Sequence, residues 1–152
     1  MTPTPIPADK IADLIKVLQS GIRFYRVGIN AARCESSKDM FSRMLAEKEQ
    51  ACAELRAYCD NVKDGESVLA VDARNLYTRL ISRISANRDQ MFIDQLAVME
   101  RRILQTFDDV LNNPLPQDCA QLLRKIRTRL LQCYDELQAL KINRKKFARD
   151  RV

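Results

Sequence analysis

Histidine and tryptophan are absent from this 152-residue sequence, and glycine occurs only three times, at Gly21, Gly28 and Gly65. Without histidine there is no Ser-His-Asp or Cys-His nucleophile system, no HExxH metalloprotease site and no C-x-x-C-H haem attachment. Three scattered glycines form neither a P-loop nor a GxGxxG turn, so nucleotide chemistry of those types is excluded as well. No apolar run approaches the roughly 18 residues that a membrane-spanning helix requires. The opening residues MTPTPIPADK lack the basic start and apolar centre of a secretory signal. A cytoplasmic location without a transmembrane segment is therefore the default expectation. The five cysteines (Cys34, Cys52, Cys59, Cys119 and Cys133) are odd in number and include no C-x-x-C pair, so neither a disulfide framework nor a zinc site is indicated. They read as small buried hydrophobes, except Cys34, which lies at a predicted helix end and is the one expected to be exposed.

What remains is helical. Hydrophobic residues make up 46% of the chain and charged residues 30%, a balance that suits long amphipathic helices in one ordinary domain. Such a chain can bury roughly 70% of its unfolded surface. The stretch Asp118–Leu140 places Cys119, Leu123, Ile126, Leu130, Cys133, Leu137 and Leu140 at an unbroken four-three spacing, one seam along one helix face. The same spacing recurs in Ile11, Ile15, Leu18, Ile22, Tyr25, Ile29 and Ala32. A seam of that length needs partners, and the fold class expected is an all-α four-helix bundle.

Three prolines among residues 1–7 predict an extended lead-in, with a first helix running to about Arg33. Glu35–Lys38 reads as a tight turn, and Ser36 with Asp39 has the form of a capping box for a second helix over Lys38–Lys63. That helix carries Phe41, Met44, Leu45, Cys52, Leu55, Cys59 and Val62 as its stripe. So short a connection requires the two helices to be antiparallel. Asp64-Gly65 ends the hairpin, and Asp72–Ala86 predicts a short helix within a crossover segment. A third long helix spans Asp89–Asn112 and is stopped by Asn113-Pro114-Leu115-Pro116. The plan is two helical hairpins joined by a crossover: lead-in 1–7, bundle 8–141, and a basic extension of the last helix at 142–152.

The runs LIKVLQSGIRFYRVGINAA (Leu14–Ala32), MLAEKEQACAELRAY (Met44–Tyr58), VMERRILQTFDDVL (Val98–Leu111) and CYDELQAL (Cys133–Leu140) resemble an uncharacterised bacterial family of ferritin-like four-helix-bundle proteins. The resemblance covers about residues 10–141. It implies a fold of two hairpins and a crossover, and says almost nothing about activity. Ferritin-like metal enzymes use a Glu from each of two helices and Glu-x-x-His from each of the other two. At the matching positions this chain has Ile22, then Glu47-Lys48-Glu49-Gln50, then Glu100, then Tyr134. Two of the expected ligands remain, which is too few for a working di-metal centre, so no cofactor and no metal are expected.

Glu100 still needs an account, because it interrupts the apolar face between Leu96 and Ile103 and an unpaired buried carboxylate is costly. One account places it at the stripe edge or pairs it with a cation such as Lys48 or Arg23. The other, implied by the resemblance, makes Glu47, Glu100 and Tyr134 the polar remains of a metal centre.

Charge is unevenly placed: residues 1–123 hold 16 basic and 17 acidic side chains, residues 124–152 hold 10 and 3. Arg124, Lys125, Arg127, Arg129, Lys141, Arg144, Lys145, Lys146, Arg149 and Arg151 are thus candidates for contact with an acidic partner: nucleic acid, an anionic membrane surface or an acidic protein. A solvated tail favoured by the helix dipole is the competing account. No catalytic constellation is found. The expectation is a non-enzymatic binding or assembly module with a protein partner or a second copy of itself.

Overall fold

A computed structural model describes residues 5–59 and 88–150, with side chains described for 5–59 and 89–141. The chain forms four helices, α1 (Ala8–Ala31), α2 (Glu35–Leu55), α3 (Arg88–Leu111) and α4 (Gln117–Asp150), with no strand among the described residues. It is an all-α four-helix bundle. The predicted short helix over Asp72–Ala86, the Gly65 stop and Val62 lie outside the described residues.

Polar contacts establish the packing order. Asp89 at the start of α3 accepts hydrogen bonds from the Arg33 and Cys34 backbone N–H groups, both at 2.9 Å, so α3 begins beside the α1–α2 turn. The Tyr58 hydroxyl, just past α2, donates to Asp118 at 3.3 Å, so α2 ends beside the start of α4. The end of α2 and the start of α3 therefore lie at opposite ends of the bundle. Each hairpin is antiparallel, α1 packs on α2 and α3, α4 packs on α3 and α2, and α2 faces α3 across a diagonal. The α2–α4 seam is the sparsest of these four contacts.

The predicted seams are the core. Cys119, Leu123, Ile126, Leu130, Cys133 and Leu137 are all buried along α4, opposite Ile11, Ile15, Leu18, Ile22 and Tyr25 of α1. Phe92, Ile93, Leu96, Ile103 and Phe107 complete it from α3. Each fully buried Leu, Ile or Phe contributes about 1.5–3 kcal/mol relative to an exposed one. Ile29, Leu45 and Cys59, expected in the stripes, are only half-buried.

The α1–α2 turn differs from the sequence expectation. Residues 35–38 are helix, not a turn, and Ser36 and Asp39 sit inside α2 without forming a capping box. The helix starts three residues earlier, at Glu35, and Asp89, reaching in from α3, holds the turn before it by accepting from the Arg33 and Cys34 N–H groups. At its other end α2 stops at Leu55, short of the predicted Lys63. The chain tightens there through Ala57 N–H to Glu54 O and Tyr58 N–H to Leu55 O, the i to i+3 pattern of a helix terminus. The Asn113–Pro116 stop forms as predicted, and the last helix runs on to Asp150.

Candidate functional site

The buried stripe of α2 runs Phe41, Met44, position 48, Ala51, Cys52 and Leu55, and the residue at 48 is lysine. The stripe of α3 runs Phe92, Ile93, Leu96, position 100, Ile103 and Phe107, and the residue at 100 is glutamate. Each charge replaces one apolar side chain at a helical repeat, so folding carries both into the core. There they meet: Lys48 Nζ donates to Glu100 Oε1, and both side chains are 0% exposed.

Helix α1 completes the site with two residues. Tyr25, also fully buried, donates its hydroxyl to Glu100 Oε1 at 2.5 Å, and its ring lies 4.5 Å from the Lys48 ammonium. The cation is thus held by a carboxylate and by the face of an aromatic ring. One turn back, Gly21 has no side chain where one would lie 3.1 Å from Lys48 Cε and 3.2 Å from Cδ. The missing Cβ makes room for the lysine stem. Phe41 packs edge-on against Tyr25 at 6.1 Å, closing the site on the α2 side.

Burial pushes the Tyr25 phenol well above its ordinary value, and the Glu100 charge and hydrogen bond push it the same way, so it stays a donor. Cys133 of α4 borders the same layer. Burial raises its thiol to about 11, with Lys48 acting against the shift and Glu100 with it. Glu100 Oε2 has no hydrogen-bond partner among the described residues.

Of the two accounts given for Glu100, this arrangement is the pairing with Lys48, and it does not bring Glu47 and Tyr134 to Glu100. Glu47 pairs with Arg129 at 3.2 Å on the α2–α4 surface, and the Tyr134 hydroxyl accepts from Gln138 at 2.9 Å one turn along its own helix. Only Glu100 of the three belongs to the buried network, with Lys48 as its cation and Tyr25 as the phenol. The reason lies in helix faces: Glu47 precedes the buried position of α2 by one residue, and about 100° of rotation turns it outward. The donors present do not fit a di-metal centre. Glu100, the buried carboxylate at this site, already carries an ammonium, and no trio of His, Cys, Asp or Glu among the described residues could hold an ion.

The basic candidates are also partly committed elsewhere. Arg127 grips Asp108 through Nε at 2.6 Å and Nη2 at 3.3 Å, Arg129 pairs with Glu47 and Glu54, and Lys141 pairs with Asp94 at 3.5 Å. These three tie α4 to α3 and α2. Arg124 and Lys125 are exposed. The side chains of Arg144, Lys145, Lys146, Arg149 and Arg151 lie outside the described ones. Between α2 and α4 an open groove of about 290 Å³ is lined by Met44, Ala46, Gln132 and Cys133 and crossed by the Arg129–Glu47 pair and by Arg43–Glu136 at 3.4 Å.

Fold and site together define a four-helix bundle with a neutralised ion pair at its centre. The chain belongs to the family described as Domain of unknown function (DUF2383), whose model matches residues 7–113. That span holds α1, α2 and α3 with Tyr25, Lys48 and Glu100, while α4 follows it. No curated protein and no solved structure matches the chain.

Lys48 is one of the two cations that the sequence offers Glu100, and its signal is the vacant step in the α2 stripe, whereas the α1 spacing marks Tyr25 only as a core residue. Nothing in the spacing of α1 distinguishes a hydrogen-bonded tyrosine from a packed one.

Proposed function

We propose that this protein is a non-enzymatic, ferritin-like helical bundle that acts as a binding or assembly module in the bacterial cytoplasm. The observation that carries the reading is the burial of Lys48, Glu100 and Tyr25 against one another, each at 0% exposure. Groups that serve a substrate must be reachable by it, and these three are spent on the interior. The ferritin-like assignment is supported by the antiparallel hairpins and by α2 ending at the opposite end of the bundle from the start of α3. Self-association is the form of assembly this reading favours. Sedimentation equilibrium over a wide concentration range tests it: a mass that rises above one chain supports assembly of copies. A strict monomer that also captures no stoichiometric protein after nuclease treatment of a native-cell pull-down overturns the module reading.

A second reading, contact with nucleic acid or an anionic surface, is favoured by one specific observation. Helix α4 stays helical to Asp150 through the basic run that starts at Lys141, and it exposes Arg124 and Lys125. Its test is salt-dependent binding to a generic duplex or to anionic vesicles by the full chain and by a chain lacking residues 142–152. Equal affinity for the two chains overturns it.

A further inference from the structure

We infer that the Lys48–Glu100 pair is a docking key, which admits one register of the α1–α2 hairpin on the α3–α4 hairpin and penalises the others. The two residues belong to different hairpins and meet across the bundle diagonal, so their pairing exists only when the hairpins are docked. The α4 stripe discriminates little by itself. Its four-three repeat of Cys119, Leu123, Ile126, Leu130, Cys133 and Leu137 carries only aliphatic side chains and cysteine, and a slide of one turn, roughly 5.4 Å, would set such side chains opposite Ile11, Ile15, Leu18 and Ile22 of α1 again.

The charged layer does not tolerate that slide. One turn in either direction brings Lys48 to the level of Leu96 or of Ile103, leaving an ammonium and a carboxylate buried and unpaired, which is far costlier than a misfitted methyl group. One further feature fits only the native register: the Tyr25 hydroxyl of the first hairpin reaches Glu100 of the second at 2.5 Å. Gly21, in the same hairpin as Lys48, vacates the volume that the lysine stem fills and so sets where the ammonium is presented. An apolar pair at 48 and 100 would hold the helices together as well, because replacing a buried ion pair by packed hydrophobes is often neutral or stabilising. What it would lose is selectivity. The same key acts between copies, since a hairpin exchanged between two chains must satisfy the same pair.

The test is the double variant Lys48→Met/Glu100→Met in the full chain, beside a triple variant that adds Tyr25→Phe so that no hydroxyl is stranded. The expected result is cooperative unfolding with a midpoint at or above that of the parent. A second species above about 10% of the population should accompany it, seen as doubled amide resonances where the parent at the same concentration and of a single mass shows one set. Variants with a single set of resonances and the parent's mass would overturn the inference. So would failure of both variants to fold, since the pair would then be contributing stability and not selecting register, and so would two sets of amide resonances in the parent at a concentration where it has a single mass.

Discussion

Lys48 on α2 and Glu100 on α3 meet across the diagonal of the bundle with neither side chain reaching solvent. The energetic consequence is asymmetric. Forming such a pair gives little net stability because both ions are taken out of water, whereas removing one partner strands the other. Lys48→Met alone is therefore expected to cost about 3–5 kcal/mol, measured by urea denaturation. A loss below about 1 kcal/mol, the surface-pair range, would mean that the pair is not buried in solution.

Tyr25 makes a hydrogen bond to a charged acceptor from within the core. Tyr25→Phe keeps the ring over Lys48 and removes only the hydroxyl, so a loss of about 2 kcal/mol is expected. In the Lys48→Met background the combined loss should differ from the sum of the single losses, because both groups act on the same Glu100 oxygen. Strict additivity would show that the two do not share a network.

Two glycines of α1 separate packing from helix propensity. At Gly28 an added Cβ would meet the Phe41 ring at 3.4 Å and 3.5 Å, ordinary contact distances. Gly28→Ala is thus expected to gain up to about 1 kcal/mol from reduced backbone entropy. At Gly21 the added Cβ would lie 3.1 Å from Lys48 Cε, and Lys48 is held in place by Glu100. Gly21→Ala should lose about 1–3 kcal/mol through overpacking despite the same propensity gain. Thermal melts of the pair check the opposite signs.

Alkaline pH should unfold the bundle by a route set in the core. Burial lifts the Cys52 and Cys133 thiols from 9.0 to about 11, and lifts the Tyr25 phenol in the same direction. As pH rises past 9 the unfolded chain releases these protons while the folded chain keeps them, so the unfolded state binds fewer protons and stability falls with pH. The contribution is complete below about 9 and is lost progressively towards about 11. Urea midpoints measured between pH 7 and pH 11 should show that decline, and a flat profile above pH 9 would contradict it. Thiol labelling of the folded protein should reach the exposed Cys34 first, with Cys52, Cys119 and Cys133 protected.

Asp89 connects α3 to the α1–α2 turn through two hydrogen bonds of 2.9 Å. Asp89→Ala should cost about 2–3 kcal/mol, two charge-assisted bonds less what water regains at a partly buried site. Hydrogen exchange localises the effect: the Arg33 and Cys34 amides should lose protection, while amides in the middle of α4 should not.

The helices were legible because burial on one face leaves a period. The seam from Cys119 to Leu137, the stripes of α1 and α3 and the proline stop at Asn113–Pro116 each depend on residues within one or two turns of each other, and all four long helices lie within a few residues of expectation at most of their ends. The local capping box at Ser36 and Asp39 failed for the complementary reason. The group that caps the turn is Asp89, 55 residues away from Cys34, and no local pattern records it.

Periodicity and composition are properties of the chain before it folds, and they suffice for an α-helical bundle without histidine chemistry, with Lys48 at a vacant step of the α2 stripe and Glu100 within that of α3. That Lys48 and Glu100 face one another, that Tyr25 and not Tyr134 supplies the phenol, and that Arg127, Arg129 and Lys141 are occupied by acidic side chains of neighbouring helices follows from the packing of the folded chain. Those outcomes depend on the rotation and offset of one hairpin against the other, and a periodic stripe specifies which face is buried without specifying what lies opposite.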